Sequence, residues 1–216
     1  MKFYDSIGLP NPDRVRIALA EKGVLDCVEI IHVNLWEGEH RTAAFKVKNP
    51  SATVPLLELD NGVAISETTA ITEYIDHAFE GVSLTGTSPQ ERAIVHMMQR
   101  RGEQKIVDAI GAYFHHATAG FGPDVELDQN PTWGQAHYQK TLDGMAYFDA
   151  VLRETPFVAG DRFSMADITV FTGINFSETY PKVMIPAELD ALIAWRKRIA
   201  VRDSCAFVPE TLKGRS

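Results

Sequence analysis

Short apolar runs and amphipathic stretches alternate over the first eighty residues. Phe3 to Ser6 predicts a short strand, and Gly8-Leu9-Pro10-Asn11-Pro12 a stiff loop. Asn11 suits the cap of a following helix, with Pro12 at its first position, where a missing N–H costs nothing. Val15, Ala18, Leu19 and Lys22 continue at helical spacing, and Gly23 supplies the stop. Cys27 to Leu35, rich in Val and Ile, predicts a second strand. A strand–helix–strand unit of this kind makes its two strands parallel, with a right-handed crossover. The polar stretch from Trp36 to Pro50 holds one helical turn around Ala43 to Val47. Val54 to Leu59 predicts a strand, Asp60-Asn61-Gly62 a hairpin turn, and Val63 to Ile65 the return strand. Ser66 then stands as cap of a helix carrying Ile71, Tyr74, Ile75 and Ala78 on one face.

Gly81, Gly86 and neighbouring hydroxyl residues mark a linker before Pro89. Everything beyond has helical period. Ile94, Met97, Met98, Ile106, Val107, Ile110 and Tyr113 form one stripe; Tyr138, Leu142, Met145, Phe148 and Leu152 a second; Leu189, Leu192, Ile193 and Ile199 a third. Stripes of this kind are packed core. Gly120 to Pro131 predicts a loop. The expected architecture is an α/β domain over residues 1–79, a linker over 80–88 and an all-α domain over 89–216. Architecture of this sort does not specify a function.

Composition narrows the class. The 216 residues are 45% hydrophobic and 23% charged, ordinary for a folded soluble chain. A formal net charge of −8 repels phosphate backbones, so nucleic acid is not expected as a partner. No apolar run approaches the roughly 20 residues of a membrane helix, and the first residues do not resemble a secretory signal. Cys27 and Cys205 are far apart and in no metal or redox spacing, which predicts a reduced, cytoplasmic protein without a metal. His115 and His116 are adjacent, whereas metal ligands on a helix favour spacings of three or four; adjacent side chains point about 100° apart, too far to face one site together.

Three local features suit one kind of ligand. Val54-Pro55 enters a strand, and a cis bond there would turn the Val54 N–H and C=O toward an extended peptide; a trans proline on an edge strand is the alternative. Ser66-Glu67-Thr68-Thr69 opens a helix, whose unpaired N–H groups suit a carboxylate while Glu67 suits an ammonium; ordinary capping explains the same residues. The helix start at Asn11 would favour ionisation of a thiol placed against it. Ser164 and Asp167, three apart at another helix start, form a capping box with Phe163 and Ile168 as its apolar staple.

As a set, these segments resemble the cytosolic glutathione transferases over nearly the whole chain. Asn49-Pro50-Ser51-Ala52-Thr53-Val54-Pro55 is similar to the family's segment before its cis-proline, Ser66-Glu67-Thr68-Thr69-Ala70-Ile71 to its glutamyl-binding segment, and Phe163-Ser164-Met165-Ala166-Asp167-Ile168 to its late helix-start motif. The resemblance implies a thioredoxin-like domain followed by a helical domain, with glutathione as co-substrate. It implies that Val54, before Pro55, pairs with the cysteinyl backbone, that Glu67 and Thr68 hold the γ-glutamyl head, and that His40 and Thr53 lie near the glycyl carboxylate. It also implies a homodimer with Ile94, Met97 and Met98 at the interface and Glu103 or Gln104 reaching the partner's glutathione.

The usual serine or cysteine position holds Leu9, and no cysteine lies in that loop, so the chain is most similar to a fungal and bacterial type without the usual Tyr, Ser or Cys. There a water held by a serine and a histidine of the helical domain takes the thiol proton. His115 matches the histidine, and Gly111 stands in the serine's place. Asn11 and Ser6 complete the catalytic candidates. Leu9, Tyr113, Phe114 and Phe121 are candidate walls for the second substrate. The implied activity is detoxifying conjugation of glutathione thiolate to a small apolar electrophile; the alternatives are a glutathione-dependent peroxidase or disulfide reductase, and a non-catalytic ligand-binding module.

Overall fold

The computed structural model describes residues 1–206; residues 207–216 of the expected helical domain lie outside the described residues. Strands β1 (Lys2–Asp5), β2 (Glu29–His32), β3 (Leu56–Glu58) and β4 (Ala64–Ser66) form one sheet in the order β2-β1-β3-β4. β1 and β2 are parallel, as the crossover through helix α1 (Pro10–Glu21) requires, and the two other pairings are antiparallel. Phe3 and Leu57 on the sheet pack with Val15 and Leu19 of α1 and with Ile71 and Ile75 of helix α3 (Thr68–Ala78) in one buried cluster. Each such side chain contributes about 1.5–3 kcal/mol through burial.

Two helix starts differ from the sequence expectation. Leu9, not Asn11, occupies the α1 cap position, without a side-chain cap bond, and Pro10 opens the helix. Both prolines fall within the first turn, where backbone N–H groups have no intrahelical acceptor, so the helix begins at the first one. Ser66 does not cap α3; it ends β4, paired with Leu56, and Glu67 holds the cap position at φ 69°. The helical turn after β2 is α2 (Ala43–Lys48).

The linker is pinned by one acid. Asp76 accepts from the Leu84 N–H at 2.9 Å, the Thr85 N–H at 2.8 Å and the Thr85 hydroxyl at 2.5 Å, and pairs with Lys22 at 3.0 Å. Helix α4 (Pro89–Gly102) follows, then a single π-helical turn over Glu103–Val107, then α5 (Asp108–Ala117). Such turns often sit at functional sites. Met98 is buried in α4, whereas Met97 is 43% exposed. Helix α6 (Pro131–Glu154) crosses the π turn closely: a Cβ on Gly144 would lie 2.2 Å from the Lys105 carbonyl oxygen. Helix α7 (Met165–Thr179) is buried along nearly its whole length. It opens with the expected Ser164–Asp167 capping box, and Asp167 also accepts from Trp195 Nε1 at 3.0 Å, on helix α8 (Asp190–Ala200).

Candidate functional site

A cleft of about 740 Å³ lies between the sheet-containing half and the helical half. Leu9 at the end of the β1–α1 loop and Pro10, Asn11 and Pro12 in the first turn of α1 form one wall. Asp13 shapes that loop: its Oδ1 accepts the Gly8 N–H at 3.0 Å, and its own N–H donates to the Leu9 carbonyl at 3.0 Å. Burial, only partly opposed by that Gly8 N–H, pushes the Asp13 carboxyl up to about 8. Asn11 lines the cleft while its Oδ1 accepts from Arg14 at 3.1 Å. Ser6 is not brought to the cleft. It is fully buried, and its hydroxyl has no hydrogen-bond partner among the described residues.

Ser51, Ala52, Thr53 and Val54 form the next stretch of wall. Asn49 holds this turn from below: its Nδ2 donates to the Thr53 carbonyl at 2.8 Å, and its Oδ1 accepts the Ser51 N–H at 3.2 Å. The Val54–Pro55 peptide is cis, Pro55 is buried, and no backbone–backbone hydrogen bond of the described residues uses Val54. His40 borders the same end, 8% exposed, with no partner for Nδ1 among the described residues. Burial lowers its pKa, and the charges of Arg41 and His115 add to the effect. Glu67 and Thr68 stand at the α3 N-terminus, outside the lining of the cleft; Glu67 is exposed and Thr68 buried.

The opposite wall comes from α5 and the loop after it. His115 and His116 both border the cleft, contrary to the expectation that one site cannot receive two adjacent helix positions. A cleft of this width spans more than one face of α5. His116 Nδ1 accepts the Asn130 N–H at 3.1 Å, and its ring stands edge-on to Trp133. His115 Nδ1 lies 2.8 Å from Glu126 Oε1. Leu9 and Phe121 line the cleft as expected of pocket walls, whereas Tyr113 and Phe114 do not. Tyr113 stands edge-on to Tyr138, and Phe114 is buried among Phe121, Phe176 and Tyr180. Gln104 is exposed. Glu103, the other candidate for reaching a partner's glutathione, turns to Arg14 at 2.6 Å and Thr69 at 2.8 Å within the chain.

Arg41, Asp108, Glu126, Trp133 and Phe176 also line the cleft and were not predicted. Trp133 and Glu126 lie in or beside a stretch with no period to read. Arg41 carried one local signal, its place beside His40. Its guanidinium donates to the Val125 carbonyl at 2.6 Å, tying the two walls together. Among the described residues no cluster of three His, Cys, Asp or Glu side chains is arranged for a metal.

A small mixed sheet with a cis-proline turn, set against a helical half across a cleft lined from both, is the architecture that the comparisons with known proteins identify. Residues 10–78 match the family model described as "Glutathione S-transferase, N-terminal domain", and residues 131–198 match "Glutathione S-transferase, C-terminal domain". The chain belongs to the glutathione S-transferase family. It is 54% identical over 205 residues to Glutathione S-transferase 2 of Saccharomyces cerevisiae, covering 94% of this chain and 87% of that one. The crystal structure of Gtt2 from Saccharomyces cerevisiae superposes with a TM-score of 0.93 at 52% identity, over 95% of this chain and 99% of that one. A glutathione S-transferase domain-containing protein of Marinobacter aquaeolei superposes at 0.92 with 55% identity, over 95% and 100%.

Proposed function

We propose that this transferase binds glutathione along the Thr53–Val54 edge and transfers its thiolate to a small apolar electrophile held between Leu9, Phe121 and Trp133. The single observation that carries the reading is the cleft itself, which gathers Asn11, His40, Thr53 and Val54 from one half and His115 from the other. The Val54 backbone is available to pair with an extended tripeptide. His40, with its unpartnered buried nitrogen, suits the glycyl carboxylate. Glu67 and Thr68, at the α3 N-terminus, suit the γ-glutamyl ammonium and carboxylate.

Transfer needs no protein nucleophile, because glutathione supplies the sulfur. The protein has to take the thiol proton and hold the electrophile near. His115 takes the proton, directly or through water, and Asn11 with the α1 N-terminus favours the thiolate. Asn11 then acts from the first turn of the helix, not as its cap. The working form is a cytoplasmic homodimer. The unpaired states of Cys27 and Cys205 and the exposed Met97 on α4 support it.

The test is conjugation of glutathione to a model aryl halide, with glutathione affinity measured in parallel by calorimetry. Binding with turnover that falls in His115→Ala supports the proposal. Binding without turnover selects a non-catalytic ligand-binding module.

A further inference from the structure

The loop after α5 is built around one carboxylate. Glu126 Oε1 meets His115 Nδ1 at 2.8 Å and accepts the Phe121 N–H at 2.9 Å. Gly120 lets the backbone wrap the acid this closely: its φ is +53°, and a Cβ there would meet Glu126 Oε1 at 2.4 Å. Phe114 and Phe121 stand edge-on to the imidazole at 5.1 and 5.2 Å between ring centres. The acid is 10% exposed and the imidazole 40%, and both border the cleft.

A carboxylate offers only lone pairs, so this bond requires the proton on Nδ1. Nε2 is left as the ring's acceptor and makes no hydrogen bond within the described residues. We propose that Glu126 is a positioning residue: it fixes His115 in the Nδ1–H tautomer and thereby presents a lone pair on Nε2 to the cleft. The inference rests on the reading above that His115 takes the thiol proton. In that step the S–H bond breaks, its electron pair stays on sulfur, and the proton passes to Nε2 directly or through one water. Nδ1–H stays on Glu126 throughout. Without the carboxylate the proton is free to settle on either nitrogen, and the form with it on Nε2 cannot accept from the thiol.

The test reads the tautomer directly. Nitrogen-15 spectra of the intact protein are recorded at about pH 8, above the usual imidazole range, with His115 assigned by its loss in His115→Gln. The wild-type protein should show a protonated Nδ1 and an unprotonated Nε2. Glu126→Gln, whose side-chain oxygen still accepts from both N–H groups, should keep that pattern. Glu126→Ala should move proton population to Nε2 and lower kcat by roughly ten- to a hundred-fold, with KM for glutathione changed less than about twofold. A wild-type proton on Nε2, or an unchanged tautomer in Glu126→Ala, overturns the inference and leaves the role of His115 standing. His115→Gln at wild-type turnover removes the base, and the positioning role with it, even where the tautomer is as expected. If Glu126→Ala does not fold, the wild-type and Glu126→Gln spectra decide.

Discussion

Buried Arg14 of α1 and half-buried Glu103 of the π turn form an ion pair, 2.6 Å from Nη2 to Oε1, that joins the two halves of the molecule. Thr69, at the start of α3, donates to the same oxygen at 2.8 Å, and Arg100 donates to the other at 3.1 Å. Burial alone would raise the Glu103 carboxyl, but the Arg14 charge and these donors outweigh it and hold the carboxyl below its usual range. Its contribution to stability is therefore present above an ordinary glutamate pKa and lost as pH falls through the depressed one. Arg14→Met leaves the acid with only the Thr69 and Arg100 donors and should cost about 1.5–3 kcal/mol. Adding Glu103→Gln should return a large part of that loss. A double-mutant cycle by urea unfolding measures it, and additive losses would contradict the coupling.

Asp13 should make the fold weaken toward alkaline pH. With its carboxyl pushed up to about 8, the folded protein keeps a proton that the unfolded chain has already released. Stability then falls as pH rises between the ordinary aspartate value and about 8, by at most about 1.4 kcal/mol per pH unit. Asp13→Asn keeps an acceptor for the Gly8 N–H and should flatten that slope. Denaturant midpoints at several pH values compare the two, and parallel slopes would exclude the effect.

Asp76 should act in the opposite pH direction. Burial opposes its ionised form, but the Thr85 hydroxyl, the Leu84 N–H and Lys22 overcome it and lower the carboxyl's pKa. Asp76→Ala leaves Lys22, its side chain 2% exposed, without its acid. The expected loss is about 3–5 kcal/mol at neutral pH. The difference from wild type should shrink as pH drops below the usual aspartate range, which unfolding curves in acid would show.

Gly144→Ala should disturb the π turn, whose last residue, Val107, lines the cleft. The added methyl meets the Lys105 carbonyl oxygen, a backbone atom that cannot swing aside. Overpacking of this kind costs about 1–3 kcal/mol or more. Melting temperature reads the loss, and a variant of wild-type stability would show that α6 and the π turn separate readily.

Glutathione affinity tests the α3 end of the proposed site. Glu67→Gln and Thr68→Val each remove one group offered to the γ-glutamyl head. A hydrogen bond to a charged group is worth about 1.5–3 kcal/mol, so affinity should fall by roughly ten-fold or more in each. Calorimetry gives the value, with the melting temperature as control for folding.

The order of elements could be read from the chain because it rests on local rules. Alternating Val and Ile, the Asn61-Gly62 turn, the Ser164–Asp167 box and the 3.6-residue stripes each act within a few positions. Boundaries were less legible where two local rules compete. Pro10 and Pro12 both satisfy a first helical turn, and the chain uses the earlier one, which displaces Asn11 from the cap. Ser66 is a good cap by type, but its pairing with Leu56 keeps it in the strand.

The cis turn at Val54 and Pro55 and the helix start beside Glu67-Thr68 were legible where motif and backbone coincide, and of these residues Val54 lines the cleft. The candidate site was not legible where partners come from distant segments. Nothing near position 126 marks Glu126 as the acid for His115, because the 118–130 loop has no period, and only folding brings its turn against α5. Glu103 lies in a sequence indistinguishable from the helix around it, and its inward turn exists because Arg14, 89 residues away, is buried opposite it. Periodicity and turn chemistry specify which elements form; which charges are desolvated together, and hence which groups meet in the cleft, follows only once those elements have packed.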